Sequence, residues 1–332
     1  METTAVSKRL FFLAIFIALA VLLIVFFRSF FLTKTRIVFC NVGQGDSAYI
    51  RTVDNIDILI DAGPSKSVLY CLGKYMPFFD RTIELVLLSH PQKDHYGGLI
   101  HILDRYKIEK LVTIPVDNTG TSFDLLKKQI AKEKIMIYDA YSGDRIRLGK
   151  SNQITFLWPN RDFLSTNVIP KRNLPHQNRG QVLGINDTNV DLNYFSQVFL
   201  FKQNSLDVLF TGDIDFTQIE KLNFGPYLQA KLQEELSGNL EILKVPHHGS
   251  KHGLNNQFLK LADPQVSVIS VGKKNSYGHP AKEILDIYKA LDKKYLTTKD
   301  EGDIVIEVNE RNYSMKTKDQ TLFLSQFLDD KD

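Results

Sequence analysis

Cysteine is scarce in this chain. Only Cys40 and Cys71 occur among 332 residues, and they form no CxxC pair. That spacing excludes a thiolate zinc site or dithiol redox motif built from neighbouring cysteines. Both lie in or beside apolar segments, so they read as free, buried core residues that report no redox compartment. Charge of one sign is scarce too: 41 Lys and Arg against 38 Asp and Glu leave a net charge of +3, too small to mark a nucleic-acid binder by itself. Sequence repeats, heptads and low-complexity tracts are absent, which excludes solenoids and coiled coils.

What the chain does hold is an unbroken apolar run of 18 residues from Leu10 to Phe27. At about 1.5 Å per residue this just spans the hydrocarbon core of a bilayer. The run has no polar face, and it leaves through "FFRSFFLTK" rather than the small residues of a cleavage site. Residues 1–33 therefore read as an uncleaved signal anchor. Lys8 and Arg9 before it and Arg28, Lys34 and Arg36 after it nearly balance, so the basic flanks leave orientation open. A short leader, one apolar segment and a large C-terminal domain is nonetheless the plan of an anchor that sends its C-terminus across. A single-pass membrane protein with an extracytoplasmic domain is the expectation.

Downstream, short apolar runs alternate with helical patterns. "RIVFCNV", "SAYIRTV" and "NIDILIDAG", joined by a glycine-rich reversal and an Asp-Asn turn, predict an antiparallel start. Further strands are predicted at "IELVLLS", "KLVTIPV", "QITFLWP", "SQVFLFK", "LDVLFTGD" and "LEILKVP". Helices are predicted over Gly98 to Tyr106, Phe123 to Glu133, Gln218 to Leu236 and Ala281 to Leu291. One large α/β domain, residues 34–318, accommodates them all. Within it, 160–192 is polar, aperiodic and too long for a simple connection, and predicts a mobile insertion or lid. Residues 319–332 read as a solvated tail.

Polar clusters follow these apolar strands directly, where open sheets place ligands and chemistry. "HPQKDH" holds His90, Asp94 and His95, and "TGD" ends in Asp213. "PHHGS" holds His247 and His248, and "NSYGHP" holds Asn275 and His279. Five of the eight histidines fall in these clusters. Imidazole and carboxylate together are ligands for Zn²⁺, Mn²⁺ or Fe, and an ion offsets the cost of burying them side by side.

The motifs, in this order, resemble a known family. "SHPQKDHYGG" resembles the HxHxDH metal loop of the metallo-β-lactamase fold. "FCNVGQGDSAYI", "ILIDAG", "LFTGD", "LKVPHHGS" and "NSYGHP" are similar to the motifs of the ComEC C-terminal hydrolase domain, across Arg36 to Val308. The resemblance implies an αββα sandwich of two mixed sheets, with one or two divalent ions, Zn²⁺ or Mn²⁺, along one edge. It makes His90, Asp94, His95, Asp213 and His248 metal-ligand candidates, with Asp213 in the bridging position. Of the adjacent histidines one is expected to bind and the other to face substrate, and the assignment leans toward His248 as ligand. Asp61 is implied as a hydrogen-bonding support of the metal loop. Gln92, Asn193, Ser250 and Asn275 are implied as supporting or substrate-facing residues, while Asp46 either faces the site or only completes the "GQGD" turn. Gly97 and Gly98 allow the close backbone approach that such a loop needs.

Departures from the family pattern are as informative. Gln92 stands where histidine or aspartate is usual, Asn41 replaces the aspartate before "VGQGD", and Asn193 lies where many lactamase-fold enzymes place another histidine but ComEC-like domains typically have asparagine. One strong and one weak or empty metal position is the expected state.

A bound dication lowers the pKa of its water toward about 7 and supplies hydroxide, so hydrolysis is the natural reaction. Asp213 is then expected to hold the attacking water, and His247 or His279 to steady the developing charge or protonate the leaving group. The resemblance implies a phosphodiesterase or DNA nuclease acting on single-stranded DNA beside a separate DNA-uptake channel protein, since a single anchor cannot conduct DNA. Lys171, Arg172, Arg179, Lys251, Lys273 and Lys274 are candidates for a basic rim. Lys244 is either a phosphate partner or a solvated strand residue. Two alternatives stand beside this reading: a phosphoesterase acting on a small or cell-envelope phosphodiester, and a catalytically weakened, membrane-tethered nucleic-acid-binding module, which Gln92 and Asn41 motivate.

Overall fold

The computed structural model describes residues 2–30, 34–171, 182–204, 206–222, 224–236, 238–308, 312–318 and 321–324. Tight reversals fold the first three apolar runs onto each other, and Thr35–Phe39, Ala48–Arg51 and Asp57–Ile60 pair antiparallel. Longer connections then allow Thr82–Leu87, Lys107–Thr113 and Met136–Asp139 to add in parallel. On the other flank of Thr35–Phe39 stand Ile304–Val308, Tyr313–Lys316 and Thr321–Leu324, all antiparallel, which completes a nine-stranded sheet. Thr321–Leu324, read from sequence as tail, is thus an edge strand.

The second sheet has seven strands. Tyr295–Thr297, Val266–Ile269, Ile242–Lys244 and Leu206–Phe210 run parallel, and Val198–Gln203, Asn152–Trp158 and Arg145–Leu148 continue antiparallel. The facing surfaces of the two sheets bury Ile58, Phe156 and Val208, and Phe210 stacks on Phe39 at 5.7 Å and on Phe199 at 5.3 Å. Outside the first sheet, Val68–Tyr75, Leu99–Leu103 and Thr121–Lys132 pack through Leu72, Leu99, Phe123 and Leu126. Outside the second, Phe216–Lys221, Gly225–Glu235, Asn256–Ala262 and Lys282–Ala290 pack through Phe216, Leu228, Phe258 and Tyr288. The result is an αββα sandwich of two mixed sheets.

Four local features differ from the sequence reading. Gln218 to Leu236 is two helices, because Gly225-Pro226 opens the second and proline fits only a first turn. The described parts of 160–192, which leave out 172–181, carry regular structure: Asn160 caps helix Arg161–Asn167, and Val168–Pro170 pairs with Asn186–Thr188. Arg172 and Arg179 of the expected basic rim lie outside the described residues. Cys40 and Cys71 are not free: a disulfide joins them, tying the end of the first strand to helix Val68–Tyr75. Lastly, Glu2–Phe30 is helical and its apolar side chains from Leu10 to Ile24 are largely exposed. Among the described residues no helix is long and apolar enough to cross a membrane.

Candidate metal centre

Parallel strands end on the same side, so the loops that follow them converge. Asp61 follows Asp57–Ile60 and the histidine loop follows Thr82–Leu87 in one sheet. Asp213 follows Leu206–Phe210, and His247 and His248 follow Ile242–Lys244, in the other. The two sheet edges meet there, and Asp94, His95, Asp213 and His248 bring four ligand atoms within 4.8 Å of one another.

Asp213 is the hub. Its Oδ2 lies 3.2 Å from Nε2 of both His95 and His248, and His248 Nε2 is also 3.3 Å from Asp94 Oδ2. The other nitrogen of each imidazole is engaged outward. His95 Nδ1 meets Asp61 Oδ2 at 2.8 Å, and His248 Nδ1 meets the carbonyl oxygen of Ser270 at 2.9 Å. Asp61 is itself fixed, accepting from Ser89 N and Ser89 Oγ at 2.8 Å each. Such outward bonds set ring orientation and tautomer for a metal ligand.

The backbone is bent to allow this. His247, His248 and Gly249 occupy left-handed φ values of 49°, 54° and 78° in succession, each non-glycine residue at a cost of order 1–3 kcal/mol. The turn splays the adjacent rings: His248 is buried against Asp213, while His247 stays partly exposed with Nε2 3.9 Å from the same carboxylate. In the histidine loop, a Cβ on Gly97 would lie 2.4 Å from the Pro64 carbonyl oxygen, and one on Gly98 2.0 Å from that of Ala62. Any side chain there would push the loop off the sheet edge.

Electrostatics favour a cation. Burial raises the pKa of Asp213, but His248 and His95 outweigh it and hold the carboxyl well below the usual range. Burial lowers both imidazoles, yet Asp213, with Asp61 at His95 and Asp46 at His248, lifts them well above 6.5. Four carboxylates, Asp46, Asp61, Asp94 and Asp213, share this pocket with a single lysine, Lys244. Nε2 of His90 is buried without a hydrogen-bond partner, and Nε2 of His95 and Oδ1 of Asp213 have only charged neighbours, at 3.2 and 3.5 Å. Nitrogen and carboxylate donors, an orphaned nitrogen and excess negative charge together fit a divalent ion of the Zn²⁺ or Mn²⁺ type.

The remaining predicted residues separate into groups. His90 is buried 4.2 Å ring to ring from His95, with Nδ1 3.0 Å from Ser196 Oγ and 3.1 Å from Ser89 Oγ, and lies outside the cluster of four. Burial, then His95, holds its pKa at about 3, so it is neutral. Gln92 lines the open cleft above the cluster, a space of about 450 Å³ shared with Gln44, Asp94, His247, Tyr277 and His279. Burial and neighbouring His247 hold His279 at about 4, and of its two expected roles a neutral imidazole suits the steadying of developing charge by a donated hydrogen bond. Asn275 does not face the cleft's ligands but braces its loop, bonding Gly272 and His279. Ser250 is buried with its amide on the His247 carbonyl, and Asn193 is buried with an unpartnered Oδ1 and no hydrogen bond to the cluster.

Asp46 does face the site, paired with Lys244 and 3.3 Å from His248 Nδ1. Lys244 is therefore not a solvated strand residue: it is buried, donates to the Gly212 carbonyl at 2.7 Å and lies 3.5 Å from Asp213 Oδ1. Sequence reasoning missed Ser89, Ser196 and Ser270. Only Ser89 had a visible signal, its place directly before the histidine loop.

No family model matches this chain. The chain is similar to ComE operon protein 3 of Bacillus subtilis (strain 168), 25% identical over 283 residues, covering 80% of this chain and 32% of that protein. It is similar also to Recombination protein 2 of Haemophilus influenzae, 24% identical over 254 residues, covering 74% and 25% respectively. The chain thus spans about a third or less of the length of these relatives. Among solved structures, CmlA, a diiron β-hydroxylase of Streptomyces venezuelae, aligns with TM-score 0.46 and 12% identity over 83% of this chain and 55% of its own. Zn²⁺-bound PqqB of Methylobacterium extorquens aligns with TM-score 0.45 and 10% identity over 79% and 97%. These likenesses are too distant to bear on the site.

Proposed function

We propose that this chain is a metal-dependent phosphodiesterase that cleaves DNA, tethered to a membrane through Leu10 to Phe27. The convergence of Asp94, His95, Asp213 and His248 beneath an open cleft carries the reading. DNA as substrate, and a separate uptake channel as partner, rest on the resemblance of the "GQGD", "LFTGD", "PHHGS" and "NSYGHP" motifs to the ComEC hydrolase domain.

A divalent ion held by those four residues supplies Lewis acidity toward a phosphoryl oxygen and a source of hydroxide near neutral pH. The chain's own residues do the rest. Asp213, held ionised, would accept a hydrogen bond from an attacking water and so hold it in place, with Lys244 3.5 Å from its other oxygen. His247, at the boundary between cluster and cleft, reaches toward the leaving oxygen, and neutral His279 donates a hydrogen bond to a phosphate oxygen. Exposed Lys93, Lys251, Lys273 and Lys274 draw the polyanion in.

The full chain in detergent, loaded with Mn²⁺ or Zn²⁺, should cleave single-stranded DNA and lose activity and metal together in Asp94→Ala and Asp213→Ala. Cleavage of a chromogenic phosphodiester but no DNA would favour the small or cell-envelope substrate. DNA binding without any cleavage would favour the weakened binding module, for which Gln92 and Asn41 are the motive. Metal content unchanged in both variants would overturn the site itself.

A further inference from the structure

The cleft has an aromatic lip. Tyr277 is 71% exposed, and its ring lies parallel to that of His279, with centroids 5.8 Å apart and planes 12° from coplanar. A lone exposed aromatic is ordinary on protein surfaces, but this one is held in place. Asn275 Nδ2 donates to the carbonyl oxygens of Gly272 and His279 at 2.9 and 3.0 Å, and Asn275 Oδ1 accepts from His279 N at 2.8 Å, closing the turn that carries Tyr277. His279 in turn meets His247 edge to face, centroids 6.0 Å apart. One face of Tyr277 is therefore backed by rings that lead down to the metal cluster, and the other is open.

We infer that Tyr277 is a specificity-determining residue that stacks a nucleobase of single-stranded nucleic acid beside the phosphate being cleaved. The inference rests on the phosphodiesterase reading above. A pair of parallel rings with a free outer face is the geometry on which a third planar ring adds, and every base offers such a face. In a duplex those faces are already covered by neighbouring pairs. A sugar ring would call instead for carboxylates around its hydroxyls, and the one carboxylate lining this cleft, Asp94, is engaged with His248. The other lining groups suit a nucleotide: Gln44 and Gln92 offer neutral amides to base edges, and Lys93 an ammonium to an adjacent phosphate.

The test compares two substrates on the full chain: a single-stranded oligodeoxynucleotide and the same strand with abasic nucleotides flanking the cleaved phosphate. Tyr277→Ala should raise KM about tenfold for the first and leave the abasic strand nearly unaffected. The kcat should change little on either strand. Tyr277→Trp should restore the wild-type KM. A 2-aminopurine placed beside the cleaved phosphate should be quenched on binding by the wild type but not by Tyr277→Ala. Metal content and Tm identify a variant that has merely lost its fold, and Tyr277→Trp then carries the comparison. Equal KM changes on both strands would assign Tyr277 to loop support and overturn the inference alone, as would no change on either. Cleavage of neither strand by the wild type would remove the nuclease reading, and the stacking role with it.

Discussion

Asp61 Oδ2 lies 2.8 Å from His95 Nδ1, so the opposite nitrogen of that imidazole points at Asp213. Asp61 holds a left-handed φ of 53° and is buried, a costly placement for a carboxylate that touches no substrate. Orientation of a ligand explains that cost. Asp61→Asn keeps the size but turns a donor toward Ser89, whose N–H and Oγ–H both donate to the present carboxylate. Metal affinity, measured by chelator competition, should fall about 10- to 100-fold. An unchanged affinity would show that His95 needs no such support.

Gln92 tests whether the centre holds one ion or two. It starts the short helix Lys93–Tyr96 and lines the cleft, whereas His90, the neighbouring candidate, stands outside the four-ligand cluster. Wild type should therefore bind close to one equivalent of Zn²⁺ or Mn²⁺. Gln92→His, which offers the better ligand beside His90, should raise stoichiometry or affinity. Two full-occupancy ions in the wild type, unaltered by the substitution, would sink this reading.

Protons and metal compete for the same imidazoles, which gives the metal-free protein its own pH dependence above neutrality. His95 and His248 have folded pKa values well above the unfolded 6.5, so the stability they contribute to the metal-free protein is complete below 6.5 and is lost as pH rises through the folded values. His90 and His279, at about 3 and about 4, act oppositely: the unfolded chain takes up their protons first, so stability falls as pH drops below 6.5. In chelator, Tm should fall as pH rises above 6.5. With metal bound, the alkaline decline should flatten, because the ion replaces the protons. A chelated protein whose Tm keeps climbing to pH 9 would contradict this charge assignment.

Strand runs and the polar residues that follow them were legible in sequence because both depend on local pattern. The three-strand antiparallel start is of this kind, whereas the grouping of His95, Asp213 and His248 was implied only by the resemblance of their motifs to a known family. What escaped was set by contacts distant in the chain. Lys244 reads as an ordinary strand lysine until the "GQGD" loop brings Asp46 against it. Ser196 and Ser270 gain meaning only when the second sheet places them beside His90 and His248. The edge strand Thr321–Leu324 was hidden by its charged neighbourhood, and Gly225-Pro226 by an apolar pattern that continued across the break.

The Cys40–Cys71 disulfide bears on the last expectation, the side of the membrane on which the domain works. Disulfides persist in oxidising compartments and are rare in the cytosol. The bond ties the strand before the "GQGD" loop to helix Val68–Tyr75 across a sequence separation of 31. Closing a loop of that size contributes about 3–4 kcal/mol. Paired alanine substitution at both cysteines should lower stability by that order and loosen the loop that carries Asp46. If the domain is extracytoplasmic, protease added to intact cells with a permeable wall should remove it while cytosolic markers stay whole. Alkylation before lysis should then leave both cysteines unlabelled without prior reduction. A domain that survives until the membrane is broken, with both thiols open to alkylation, would place it in the cytoplasm, and a nuclease of incoming DNA would give way to a cytoplasmic-face phosphodiesterase.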